Sequence, residues 1–396
     1  MFPLLNKVPV QDRKVFIIDS LSGAYYGMFM GFFYPFVPLI LKKMNASPLQ
    51  MGLCMGIPFF AAMLSLPVLK LFNGFKAINL VAFPTMLFRP IVLLIALFTD
   101  PWAILAVFMA NQFIEMATTP AYTRLLREMY SNAGRSSAMG YVRSYQAVCQ
   151  ILGSVLSGLL IDNGNGVLAF FLAGSAGLIS SINFLRIMPQ SFSPVFNSKN
   201  FNLLDAGKAF KENLPFLWLN LTIMLYGFGN LIVNAILPNF LVEKFEISHF
   251  QLGSLTAVTN FSLVLSYAFL GRFTGRRGPQ RGLFLSFMWG IFIPWLFIFS
   301  PNTNFLAFPY FLLGIQNAGF DLTWPQLLIK NVEQDSIPTY TAVYLFLMGI
   351  RGVLASLVGN LFYPSLGGNF FLVFAGIFMI LGLILGLFSR KSWEGK

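Results

Sequence analysis

Apolar runs of about 20 residues, each long enough to cross a bilayer as one helix, recur along this chain between short polar turns. No other feature restricts its folding so severely, because a backbone in lipid must satisfy its polar groups internally, as helices do. Twelve such runs lie near 15–41, 49–71, 78–98, 102–126, 138–161, 166–186, 214–241, 249–271, 282–300, 304–330, 338–363 and 368–389. Charged residues make up only 10% of the 396 and phenylalanine occurs 46 times. A soluble protein carries about 25% charged residues. The predicted fold class is therefore an all-α polytopic membrane protein with twelve transmembrane helices.

The net charge of +12 follows from the same topology. With the amino terminus inside, 20 of the 26 Lys and Arg fall at cytoplasmic ends and loops; Lys42, Lys43 and Lys244 fall outside, and Arg89, Arg143 and Arg351 fall within spans. Basic residues in short loops mark the cytoplasmic side. Both termini are thus expected in the cytoplasm, and the basic surplus needs no nucleic acid partner. The leading "MFPLLNKVPVQDRK" has no apolar core running into a cleavage site, so no removable signal is predicted. Cys54 and Cys149 lie in apolar stretches and read as packing residues rather than a disulfide framework.

The chain repeats itself. "YYGMFMGFFYPFVPLILKKMNASPLQMG" (Tyr25 to Gly52) returns as "LYGFGNLIVNAILPNFLVEKFEISHFQLG" (Leu225 to Gly253), with Tyr26-Gly27 matching Tyr226-Gly227 and Pro38 matching Pro238. "LFNGFK" (Leu71 to Lys76) aligns with "RFTGRR" (Arg272 to Arg277) after the second span of each half. Six spans return the chain to the side where it began, so a duplicated unit keeps its direction and the halves are parallel repeats about the membrane normal. The predicted division is an amino-terminal six-helix bundle at 1–187, a cytoplasmic linker at 188–213, and a carboxy-terminal six-helix bundle with a short tail at 214–396, the bundles related by a pseudo-twofold axis.

"GRFTGRRGPQR" (Gly271 to Arg281), with Arg272, Arg276, Arg277 and Arg281, resembles the basic cytoplasmic loop of the major facilitator superfamily, with Gly275 where an Asp is usual. The segment from Pro120 to Leu160 has the same family's cadence. The resemblance implies two bundles rocking about a central site, with the first and fourth spans of each half lining the cavity and the basic loop taking part in gating. It implies a monomeric transporter of a small-molecule substrate, with no cofactor, in the lipid bilayer of a bacterial cytoplasmic (inner) membrane.

A second internal match falls on those cavity spans. "NQFIEMATTP" places Asn111, Glu115 and Thr118 at i, i+4, i+7, and "NAGFDLTWP" places Asn317, Asp321 and Trp324 likewise. That spacing sets each trio on one helix face with a carboxyl group at the same place in both halves. Acids deep in a span are costly and are functional candidates by default. Glu115 and Asp321, with Asp19 near the cytoplasmic edge, are the proton-coupling candidates; the alternative is that each neutralises a base and holds helices together. By depth, Arg89 is the expected charge partner of Glu115, Arg351 of Asp321 and Arg143 of Asp19. Tyr26 and Tyr34 in the first span, and Tyr226, Asn230 and Asn234 in the seventh, complete an amide- and aromatic-rich surface suited to a solute. Ordinary interhelical hydrogen bonding explains such amides equally well. Gly153 and Gly158 read as close-packing positions.

An enzyme is not expected. His249, the single histidine, stands at the outer edge of a span where it would cap a helix; no His/Cys metal spacing and no GxxxxGK[ST] loop occurs. The leading expectation is a secondary active transporter of a small organic solute driven by protons, as symport or antiport. Two alternatives stand beside it. One is export of multidrug-type amphipathic compounds or flipping of a lipid, to which the phenylalanine content and "GSVLSG" (Gly153 to Gly158) point. The other is a non-transporting receptor or assembly factor.

Overall fold

The computed structural model describes residues 9–71, 77–131, 135–187, 210, 213–332 and 337–390. Apart from Phe210 and Asn213, the predicted linker lies outside them, as do Lys7, Lys76 and the tail from Lys391. The described residues form α-helices and short 3-10 turns. The helices are α1 (Arg13–Phe33), α2 (Phe36–Lys43), α3 (Pro48–Leu71), α4 (Ala77–Phe88), α5 (Pro101–Met129), α6 (Arg135–Asp162) and α7 (Gly166–Phe184). They continue with α8 (Leu214–Phe245), α9 (His249–Arg277), α10 (Pro279–Gly290), α11 (Ile293–Ile298), α12 (Ala307–Asn331), α13 (Ile337–Leu361) and α14 (Tyr363–Ser389). Eight of the helical stretches are long and apolar enough to cross a membrane among the described residues. Large apolar side chains such as Phe269, Phe308 and Phe388 stay exposed along them, as lipid contact requires.

Prolines explain where apolar runs bend. The first run becomes α1 and α2, parted at Tyr34–Pro35, and the third becomes α4 followed by a 3-10 segment, Pro90–Ala96. The ninth becomes α10 and α11, with Pro294 in the first turn of α11. Proline has no N–H to donate and is tolerated at first-turn positions, so each break places it at a new helix start. Pro84 and Pro238 stay inside continuous helices. Inside α14 the chain leaves helical geometry at Gly367, whose φ is +76°.

The chain divides into two compact units. Unit 1 holds Met1–Asn45, Leu64–Asn197 and Ser248–Asn260. In it α1 packs along α6 and α7, and backbones meet closely: a Cβ added at Gly153 would stand 2.9 Å from the Met28 carbonyl. At Gly158 a Cβ would stand 2.7 Å from Cα of Phe250, in the first turn of α9. The core of unit 1 gathers Phe16, Leu125, Val142 and Phe184. Unit 2 holds Ala46–Met63, Ser198–Ile247 and Phe261–Lys396. There α14 and α13 pack on α8, α10 packs on α12, and Phe216, Ile223, Phe287, Trp324 and Tyr344 form the core.

Candidate functional site

Arg89 ends α4 and turns its guanidinium onto Glu115 in the middle of α5. Nε donates to Oε1 at 2.7 Å and Nη2 to Oε2 at 3.1 Å, a two-pronged pair of the kind that makes Arg the best partner for a buried carboxylate. Nη1 donates to Ser180 Oγ (3.3 Å) and Ser181 Oγ (3.2 Å) on α7. The Tyr26 ring of α1 covers the guanidinium, with Cζ 4.6 Å from its centroid. One arginine thus ties four helices together with its charge matched and its donors used.

Asn111, one turn before Glu115, holds the end of α4. Past Arg89 the hydrogen bonding tightens, and Val92 N–H reaches the Arg89 carbonyl (3.3 Å). The Phe88 carbonyl is left to the Asn111 amide, which donates to it at 3.2 Å. Asn111 is therefore buried support for the break beside Arg89, not a cavity wall.

Asp19 of α1 is buried and accepts from Tyr122 OH (3.1 Å) and Tyr130 OH (2.8 Å). Arg143 is exposed on α6 and donates to Gln146 Oε1 at 3.0 Å, one turn along its own helix. The expected Asp19–Arg143 bond is thus replaced by two tyrosine hydroxyls, from Tyr122 of α5 and Tyr130 at its C-cap, and Arg143 acts on the carboxylate only through space. Both still line one cavity of unit 1, of about 160 Å³, together with Tyr26, Arg89, Glu115 and Thr118.

Unit 2 carries a larger cavity, of about 340 Å³, bordered by Tyr226, Asn230, Gln316, Asn317, Asp321 and Arg351. Asp321 accepts from Tyr267 OH at 2.9 Å. Arg351 is not joined to it. The guanidinium of α13 lies over Gly227, where a Cβ would stand 2.6 Å from Cζ, and Nη1 donates to the Ile223 carbonyl. The depth match between Arg351 and Asp321 does not become a pair because Gly227 opens a slot on α8 that takes the guanidinium sideways. Tyr226 stacks on Phe287 with ring centroids 3.6 Å apart.

Three further expectations change place. Trp324 packs edge-on against Tyr344 in the core of unit 2, ring centroids 4.0 Å apart. Asn234 donates to the Asn230 carbonyl within α8 at 2.8 Å, and Tyr34 packs on Phe108. Arg272, Arg276, Arg277 and Arg281 are exposed around the α9–α10 turn, with Arg276 and Arg277 in the last turn of α9, where cations favour the helix dipole. The chain reverses there at Gly278, with φ +85°. Sequence reasoning missed Tyr122, Tyr130, Tyr267, Ser180 and Ser181; hydroxyl side chains in apolar spans carry no pattern that separates ligands of a charge from neutral packing. His249 does stand at a helix start: Asp162 accepts from the His249 and Phe250 backbone N–H groups (3.0 and 2.8 Å) and lies 2.7 Å from the His249 ring nitrogen.

The family model described as Major Facilitator Superfamily matches residues 20–228 and again 219–394. The chain belongs to the major facilitator superfamily. It is accordingly a membrane transporter of the secondary class and not an enzyme. Among superfamily relatives, Multidrug resistance protein 2 of Bacillus subtilis is 22% identical over 98% of both chains. Multidrug resistance protein MdtG of Escherichia coli is also 22% identical, over 100% of this chain and 97% of its own. A point mutant of the nucleoside transporter NupG superposes with a TM-score of 0.76 at 16% identity, covering 96% of this chain and 99% of its own. A bacterial homolog of the human lysosomal transporter Spinster, inward-facing and unoccupied, gives 0.69 at 14% identity, covering 97% and 98%. These superpositions establish the superfamily fold.

Proposed function

We propose that the protein is a proton-coupled secondary active transporter of a small organic solute, working by alternating access as a monomer. The observation that carries this reading is the Arg89–Glu115 pair on the wall of a cavity that also holds Asp19. Protonation of Glu115 removes the counter-ion and leaves Arg89 a buried, uncompensated cation, so proton occupancy and the packing of α1, α4, α5 and α7 are linked. In this reading six-span bundles at 1–187 and 214–396, joined by the linker 188–213, rock about the transport path. Both termini are cytoplasmic and the membrane is the bacterial inner membrane, supported by the placement of basic residues and by bacterial relatives.

The test is proton movement in pyranine-loaded proteoliposomes on addition of members of a metabolite panel. Wild type is expected to move protons with its solute; Glu115→Gln is expected to bind the solute and move none. Uptake that ignores a pH gradient in wild type, Glu115→Gln and Asp321→Asn alike would remove proton coupling. The names of the two bacterial relatives favour a second reading, export of amphipathic drugs. A host lacking its own exporters would then gain resistance to lipophilic cations on expression of this chain.

A further inference from the structure

The two arginines buried in the spans are treated differently by their surroundings. Arg89 has a carboxylate, two hydroxyls and an aromatic face. Arg351, only 6% exposed, has a backbone carbonyl and the neighbouring Tyr344 hydroxyl, both neutral, and among the described residues it makes no ion pair. Its Nε is buried with no hydrogen-bond partner, and so is Oε1 of Gln316 on the same cavity. A buried cation without a counter-ion is among the most costly groups a protein can hold. The fold nevertheless makes room for it: a side chain at Gly227 would collide with the guanidinium. Asp321, which could have neutralised it, borders the cavity bonded to Tyr267.

Resting on the transporter reading above, we propose that the cavity of unit 2 is a binding site for a small organic anion, whose carboxylate or phosphate takes the Arg351 guanidinium. Arg is suited to this because its planar fork meets two oxygens of either group at once. Asn230 and Asn317 supply donors and acceptors for the rest of the solute, and Asp321 sets the far limit of negative charge: it disfavours a second anionic group beside itself. The solute therefore carries a single anionic group, at the Arg351 end, with a neutral, hydrogen-bonding body. Arg89 plays no part in this, since Glu115 already occupies its fork.

The experiment is thermal unfolding of the detergent-purified full chain, with no gradient across a membrane, so proton coupling does not enter. Small carboxylates (gluconate, benzoate) and phosphate monoesters (glucose phosphate, glycerol phosphate) are titrated beside glucose, benzamide and glycerol, with tetraphenylphosphonium as a lipophilic cation. A ligand that prefers the folded state raises Tm with concentration. At least one anion is expected to raise the wild-type Tm while its neutral counterpart does not, and the carboxylate and phosphate arms show which group is taken. Arg351→Lys, which keeps the charge but loses the fork, is expected to weaken that anion by about tenfold; Arg351→Gln abolishes the shift. Without ligand, Arg351→Gln is expected to melt no lower than wild type, because it removes an uncompensated buried charge. The proposal is overturned if no anion shifts wild type, if neutral compounds or the cation do so instead, if Arg351→Gln keeps the shift, or if Arg351→Gln fails to fold. None of these outcomes bears on proton movement through Glu115, so a failure of anion binding is told apart from a failure of proton coupling.

Discussion

Glu115 is the counter-ion on which the packing around Arg89 depends, since both of its oxygens accept from that one guanidinium. Removing either partner of a buried pair strands the other, at a cost of about 3–5 kcal/mol, whereas replacing both by apolar residues of similar volume is often neutral. Arg89→Met and Glu115→Leu are each expected to lower Tm and the yield of folded protein, and the double substitution to recover most of both. Measured in detergent, a double variant as unstable as the worse single one would show that the pair is not an isolated charge match. Residue for residue, the acids and bases of the spans are legible in the sequence because charge in an apolar run stands out. Their partners are legible only by depth. Arg89 and Glu115 do meet; Arg351 and Asp321 border one cavity without joining, and the direction in which a glycine such as Gly227 opens a helix surface is decided by packing from other helices.

Elements read from the sequence as uninterrupted spans, and three of them are broken. The break after α4 matters most because it aims Arg89. It rests on Pro90, which starts the 3-10 segment, and on the Asn111 amide that takes up the Phe88 carbonyl. Asn111→Leu keeps the branched shape and leaves that carbonyl unsatisfied, a loss of about 1–3 kcal/mol. It is expected to lower Tm by this route and to weaken solute-dependent proton movement, since α4 then loses the support that orients Arg89. A variant with unchanged Tm would show that another donor takes up the carbonyl. At the α9–α10 turn, Gly278 has φ +85° and ψ 155°, a conformation close to glycine-only. Gly278→Ala is expected to cost about 1–3 kcal/mol there, read as lower Tm, while Gly275 lies inside α9 with nothing within 4 Å of an added Cβ, and Gly275→Ala is expected to raise Tm slightly. The sequence marks such turns as glycine-rich but does not distinguish the strained glycine from the free one, because only φ tells them apart.

For the molecule as a whole, the fold class is the most legible property, since twelve apolar runs and a duplicated first span leave few architectures open. Orientation is a separate question with its own physical cause. Lys and Arg resist translocation, and 20 of the 26 fall on one side if the amino terminus is cytoplasmic, against three on the other. Two exposed turns sit on opposite sides in that topology: Asn163, between α6 and α7, and Arg281, at the start of α10. The native thiols barely interfere, because Cys54 is buried and Cys149 half-buried, and Cys149→Ser provides a quieter background. A membrane-impermeant maleimide is expected to label Asn163→Cys in intact cells and Arg281→Cys only after permeabilisation. The reverse pattern would place the basic loop of α9 and α10 outside, against a charge bias too large to reconcile with short-loop insertion. Labelling of both in intact cells would mean two orientations in one membrane, and a proton gradient could then not drive net movement of solute in a single direction.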